Sequence, residues 1–316
     1  MRLGIACCAD HSMGHASVAR SLARAARAQL PLERLLVLTD QEAVLRRFSF
    51  FDEWMELVPL NSARLPQLDV LLLDTVPFRR AEVVFRLLPA LARPWPQIIV
   101  GHTGWVPALS SRHIEEWREL LNFLRGPQLI VYHSETVCGG KCHVQRYSKA
   151  LRISPVHTGL LLPECSITEP HHRNRRFAAV SGGGFAAEEL VLEAASLLAR
   201  LPDWDCDFYV GPYTELKSIP PRMRLVHNVG NLASVLSEYS FSLTRAGYSS
   251  CCEHISAGVP GLVMPLTNPE QEANAEWVRK YLRSPIVEEG VDFRVAEAER
   301  SAPASFNWAS VSGVTR

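Results

Sequence analysis

The stretch TRAGYSSCCEHISAGVPGLVMPLTNPEQEANA (244–275) decides the fold. It reads as strand end, glycine turn, helix, Gly-Val-Pro break, short apolar strand, and a polar loop opening another helix. The apolar run FSLTRAG (241–247) stops at Gly247, and Ser249 and Ser250 are placed to cap a helix over 250–257. Gly258 suits the left-handed position past a helix end, and Pro260 prevents continuation. GLVMPL (261–266) is apolar throughout, as expected of a strand in a parallel sheet covered on both faces. A glycine turn running into a helix N-terminus presents backbone N–H groups and the positive end of the helix dipole, which suits a phosphate. Three residues into the expected helix, Glu253 has a carboxylate that could hydrogen-bond a diol such as ribose. An ordinary capped βαβ unit would carry the same residues, so this stretch alone leaves both possibilities open.

Working outward, the same alternation fills most of the chain. RLGIACC (2–8), RLLVLTD (34–40), LDVLLLDT (68–75), QIIVGH (97–102) and LIVYHS (129–134) read as strands. The segments between them supply helices, among them one after ADHSMGH (9–15), one over 79–92 and one over 111–124. In the first helix Val18, Leu22 and Ala25 share a face, while Arg20, Arg24 and Arg27 share another. Pattern lapses at PECSITEPHHRNR (163–175), and a second alternation begins with RFAAVSGGG (176–184). Strands joined by helices imply right-handed crossovers and parallel sheets. The expected fold class is therefore α/β, with two doubly wound, Rossmann-like domains facing a central cleft. The expected bounds are 1–164 and 176–290, with a linker at 165–175 and a partly disordered tail of little pattern at 291–316.

Bulk properties narrow the function. The 316 residues are 47% hydrophobic and 21% charged, with a formal net charge of zero, which argues against nucleic acid as a partner. No apolar run is long enough to span a bilayer, and the N-terminus lacks a signal-peptide pattern. Eight scattered cysteines do not resemble a disulfide framework. A cytoplasmic protein with reduced thiols is expected, with a peripheral position on the inner membrane face as the variant of that expectation.

Three clusters could carry chemistry. His15, at a strand-to-helix turn beside Gly14, could act as a general base on a hydroxyl, and Asp74 at the end of a strand could orient it. A local hydrogen bond for His15 and a helix-capping role for Asp74 are the plainer alternatives. SGGG (181–184), with Gly183 at its centre, lets a backbone approach a ligand closely, but it is neither a G-x-G-x-x-G fingerprint nor a P-loop. Cys138, Cys142, His143, Cys165, His171 and His172 are possible metal ligands, yet no second pair stands at zinc spacing. Incidental thiols in a polar loop are preferred, and no metal and no cofactor are expected.

Taken together, these motifs resemble GT-B glycosyltransferases, in particular the branch of the peptidoglycan UDP-N-acetylglucosamine transferase and its short relatives. MGHASVARSLARA (13–25) looks like that family's Gly-His loop and helix, and SGGG is similar to its second glycine loop. VHNVGNLASVLSEYSFSLTRAGYSS (226–250) resembles its nucleotide-binding segment, and EHISAGVPGLVMPLTNPEQEANA (253–275) its Glu…Gly-x-Pro…Gln-x-x-Asn-Ala signature. The resemblance implies that Val226, Asn228 and Val229 contact the base. It further implies that Arg245, Gly247, Tyr248, Ser249 and Ser250 surround the diphosphate and that Glu253 holds the ribose. Glu270, Gln271 and Asn274 would then face the donor sugar, and His15 would lie near the acceptor or the reacting carbon. The implied partners are a nucleotide-sugar donor, with a UDP-sugar expected, and an unidentified small-molecule, glycan or lipid-linked acceptor. The implied activity is metal-independent hexosyl transfer.

The likeness has gaps. ADHSMGH lacks the multiple glycines of the peptidoglycan enzyme, and residues 270–271 are Glu-Gln where many members have Asp-Gln or Gln-Gln. The short tail is similar to that of compact nucleotide-sugar hydrolases of the same fold, in which water replaces the acceptor. A hydrolase and a non-catalytic nucleotide-sugar-binding subunit therefore stay open beside the transferase.

Overall fold

The computed structural model describes residues 1–8, 13–47, 49–74, 81–103, 111–124, 127–133, 148, 152–165, 175–181, 187–211, 214–227, 231–265, 269–287, 293–296, 298, 303–311 and 314. By contacts the chain divides into two compact units. The first takes Met1–Asp10, His15–Leu161 and Ala304–Arg316; the second takes His11–Gly14 and Leu162–Pro303.

In the first part of the chain the elements are β1 (Arg2–Cys7), α1 (Met13–Gln29), β2 (Arg34–Thr39), α2 (Glu42–Arg47), β3 (Glu56–Pro59) and β4 (Val70–Asp74). They continue with α3 (Ala81–Leu87), β5 (Gln97–His102), α4 (Ser111–Phe123), β6 (Gln128–Val131) and β7 (Pro155–His157). Among the described residues these strands form one seven-stranded sheet in the order β3-β2-β1-β4-β5-β6-β7, every pair parallel. Strand β4, VLLLD, is buried at all five positions, as a central strand with both faces covered must be. The edge strands β3 and β7 carry no apolar run, which is why the sequence pattern misses them.

Helix α1 shows how this unit closes. Its Ala19, Leu22, Ala23 and Ala26 are fully buried. The arginine face also docks. The Arg20 guanidinium lies 4.3 Å from the Phe50 ring centroid and donates to the Phe50 carbonyl at 3.2 Å. Arg24 forms two hydrogen bonds to Asp52, at 2.7 and 2.8 Å, and Arg27 stacks over Trp54.

The second part comprises β8 (Arg176–Ser181), α5 (Ala187–Arg200), β9 (Asp205–Val210), β10 (Met223–His227), α6 (Leu232–Leu236) and β11 (Phe241–Thr244). Then come α7 (Tyr248–Ala257), β12 (Gly261–Val263), α8 (Pro269–Val278), β13 (Ser284–Val287) and β14 (Phe293–Ala296). Strands β8–β12 form a parallel sheet in the order β10-β9-β8-β11-β12, and β13 and β14 pair as an antiparallel hairpin. Phe177 and Phe241 stack on one face of this sheet, with ring centroids 4.8 Å apart and planes at 6°. Asp207, buried on β9, accepts hydrogen bonds from Arg176, Arg224 and Tyr239. Burial alone would raise its pKa, but these donors outweigh burial and hold it below the usual carboxylate range.

The structure corrects two expectations. The tail at 291–316, expected to have little pattern, carries regular structure. It contributes β14, and from Ala304 onward it belongs to the first unit, where Phe306, Trp308, Val311 and Val314 are buried. Gln29 at the end of α1 clamps this segment, donating to the Phe306 carbonyl at 3.2 Å and accepting from the Trp308 amide at 2.8 Å. Phe306 and Trp308 in an otherwise small and polar run were the missed signal. The helix expected at 250–257 starts earlier, at Tyr248, with Gly247 as its N-cap. Ser249 and Ser250 therefore lie inside the first turn and do not cap it. Of the expected linker 165–175, only Cys165 and Arg175 fall among the described residues.

Candidate functional site

In both sheets the strand order reverses beside the first strand: between β1 and β4 in one, and between β8 and β11 in the other. Ligands of open α/β sheets bind beyond the carboxyl ends of strands at such switch points. His15 follows β1 and Asp74 ends β4, so the first switch point brings them together. Asp74 Oδ2 lies 3.2 Å from His15 Nδ1, with the Asp74 side chain fully buried and that of His15 at 13% exposure. Gly14 precedes His15 in the first turn of α1.

Asp74 has a second partner that the sequence did not suggest. Tyr132, just past β6 and fully buried, donates its hydroxyl to Asp74 Oδ1 at 3.0 Å. The phenol can reach because β5 has glycine opposite Asp74 in the strand register. A Cβ at Gly101 would lie 1.8 Å from the Tyr132 hydroxyl oxygen. A glycine inside the apolar strand QIIVGH was the available sign of a close approach. Burial, with the repulsion of His157, lowers the His133 pKa to about 3, so that its ring is a neutral core group.

At the second switch point the material is mostly backbone. Strand β11 ends at Thr244, and after Arg245-Ala246-Gly247 the helix α7 begins. Gly247 has no side chain to satisfy the amides of the first turn, which belong to Tyr248, Ser249 and Ser250. Its backbone, φ −70° and ψ 143°, is open to any residue, and among the described residues a Cβ there would meet only Ser250 Oγ, at 3.9 Å. Gly258 sits at φ 65°, and a Cβ at Gly261 would press the Leu282 side chain at 2.6 Å; Gly247 has neither constraint.

Glu253 is buried in the second turn of α7, about 9 Å along the axis from Gly247 at 1.5 Å per residue. His254 beside it is fully buried, with Nδ1 2.7 Å from the Ser250 carbonyl, and burial lowers its pKa to about 4. Arg245 Nη2 bonds Glu189 of α5 at 3.1 Å, and Nη1 approaches the Met264 carbonyl at 3.5 Å. Asn274 on α8 is buried and engaged within the protein. Its Nδ2 donates to the Ala246 carbonyl and its Oδ1 accepts from Trp277 Nε1, both at 2.9 Å, so it buckles the turn onto α8. Glu270 and Gln271 sit half-buried in the first turn of α8, and Val226 is half-buried on β10. Gly183, Asn228 and Val229 lie outside the described residues, as do Cys138, Cys142, His143, His171 and His172. Cys165 donates to the Ala233 carbonyl at 3.4 Å. Among the described residues no group of three or more His, Cys, Asp or Glu side chains could hold a metal. No described helix is long and apolar enough to cross a membrane.

No family model and no curated protein sequence matches the chain. Solved structures do. The glycotransferase of kitacinnamycin is 19% identical, with a TM-score of 0.52 over 88% of this chain and 83% of that one. The glycosyltransferase SnogD from Streptomyces nogalater is 14% identical, with a TM-score of 0.53 over 88% and 84%. A UDP-glucosyltransferase from Polygonum tinctorium capable of glucosylating indoxyl is 16% identical, with a TM-score of 0.52 over 87% and 82%. At these identities the likeness establishes the fold: two parallel-sheet α/β domains of the GT-B type.

Proposed function

We propose that the protein is a glycosyltransferase that moves a sugar from a nucleotide-diphosphate-sugar, a UDP-sugar in the first instance, to a hydroxyl acceptor. The observation that carries this is the His15–Asp74 pair on a fully buried carboxylate. Accepting from Nδ1–H, Asp74 fixes the tautomer that leaves Nε2 basic, and the negative charge stabilises the imidazolium once Nε2 takes a proton. In the transfer, the acceptor oxygen forms a bond to the anomeric carbon while that carbon's bond to the diphosphate oxygen breaks. His15 Nε2 removes the hydroxyl proton.

The second unit would hold the donor. The bare Gly247 start of α7 leaves room for a diphosphate against first-turn amides, and the helix dipole favours the charge that develops on departure. That role would make a metal unnecessary. Glu253 would bond the ribose hydroxyls, and Glu270 and Gln271 the sugar. Placement beside the peptidoglycan UDP-N-acetylglucosamine transferase branch rests on the likeness of 13–25, 181–184, 226–250 and 253–275, of which the last is the specific one. The Polygonum enzyme's use of indoxyl favours small aromatic alcohols as first acceptors to try.

The test is UDP release from UDP-glucose and UDP-N-acetylglucosamine, with and without indoxyl and simple phenols. Release that requires an acceptor supports transfer. Equal release without one identifies a hydrolase, and binding by calorimetry without release identifies a non-catalytic subunit. A His15→Ala variant with full activity would overturn the role of the dyad.

A further inference from the structure

We infer that Tyr132 is a positioning residue for His15, acting through Asp74, and that Gly101 and Phe306 keep it in place; this rests on the base role proposed for His15. Asp74 uses one oxygen for each neighbour: Oδ2 for His15 and Oδ1 for the Tyr132 hydroxyl. A carboxylate held on one oxygen can swing about its χ2 axis, a broad torsion with little preference of its own. A donor on the second oxygen fixes the plane of the carboxylate and, through it, the direction of the imidazole. The other residue paired with Asp74 in the described register is Cys7 on β1, whose thiol burial pushes well up, so it stays neutral.

Two independent features show that the phenol is built to make this bond. Gly101 removes the one atom that would occupy the hydroxyl's position, and Asp74 and Gly101 are register partners on adjacent strands. On the other side, the Phe306 ring meets the Tyr132 ring edge-on, with centroids 6.1 Å apart and planes at 64°. Phe306 is held in turn by Trp308 packing, 5.3 Å between centroids, and by its amide donating to the Leu160 carbonyl at 2.7 Å. Gln29, which grips this segment, belongs to the helix that carries His15. The returning segment 304–311 therefore braces the dyad at both ends, through the Tyr132 ring and through α1.

Tyr132→Phe in the full chain keeps the ring and deletes the donor. Nitrogen-15 spectra of histidine-labelled protein read the His15 Nδ1–H signal without any substrate, and a melting curve reports the fold. The expected result is loss or a marked shift of that signal, with the wild-type melting temperature kept within a few degrees. The kcat should fall about 10-fold, with an unchanged donor KM, for whichever of UDP-glucose and UDP-N-acetylglucosamine the wild type consumes. Gly101→Ala should give the same spectral change by displacing the phenol. An unchanged His15 signal in Tyr132→Phe overturns the inference, whether or not kcat or the melting temperature falls. Because the spectrum needs no turnover, its outcome stands apart from that of sugar transfer, which fails instead if His15→Ala stays fully active.

Discussion

The two switch points of this molecule build their sites from different materials. The first unit uses side chains, with His15, Asp74 and Tyr132 meeting from three separate segments, and the carboxylate is engaged through both oxygens. The second unit uses backbone, a helix start whose capping residue is a glycine that no described backbone crowds. A buried side-chain pair is suited to moving one proton at one place. An array of amides is suited to spreading the charge of a diphosphate. The contrast teaches that damage to the first should appear in turnover and damage to the second in binding.

The largest effect would come from breaking the side-chain site. His15→Ala should lower kcat by about 10²- to 10⁴-fold, the usual contribution of a general base, with UDP affinity by calorimetry unchanged. Asp74→Asn should act in the same direction by favouring the wrong tautomer. A loss of UDP affinity in either variant would erase the contrast.

Next comes acid, which separates folding from function. The His254 pKa is lowered to about 4 in the folded chain, against about 6.5 unfolded. Between these values the unfolded state binds more protons, so stability is complete above pH 6.5 and falls as pH drops toward 4. Unfolding free energy should be about 2 kcal/mol lower at pH 5 than at pH 7 from this residue alone, by the linkage relation. Denaturant titration at the two pH values, repeated on His254→Gln, isolates it. His133 should add a loss of the same sign in the other unit, so acid should not spare either site.

Smaller effects sharpen the backbone site. Glu253→Ala should weaken UDP binding by about 10- to 100-fold, the worth of hydrogen bonds to a charged group, and leave the His15 spectrum untouched. Unchanged affinity there would remove the ribose contact from the proposal. Gly247→Ala is the mildest. It should cost under about 1 kcal/mol of stability, as helix-cap exchanges do, while the added methyl weakens UDP binding several-fold. Equal binding would mean that no ligand approaches this turn.

The two sites were not equally legible. Residues 244–275 carry strand end, glycine, helix and Gly-Val-Pro within one continuous run, so their geometry follows from local backbone preference. Even there the cap was misplaced, because Ser249 and Ser250 satisfy a capping pattern that the helix, starting at Tyr248, does not use. Asn274 matched a sugar-binding signature, yet its described bonds hold the Ala246 turn and the Trp277 indole. His15 and Asp74 could be named as residue types suited to the chemistry, but nothing in their spacing required a contact.

The sequence by itself determined the alternation of strands and helices, because apolar period and turn residues act over a few positions. Tertiary structure decided what meets across the sheets. Asp74 stands 59 residues from His15 and 58 from Tyr132, and Gln29 grips Phe306 from 277 residues away. Such contacts depend on strand order and register, which have no local signature; the glycine at 101 is visible in its strand, but what approaches it is not. The tail gave the same lesson. Phe306 and Trp308 look unremarkable in a polar run until the fold supplies the apolar surface that makes burying them favourable.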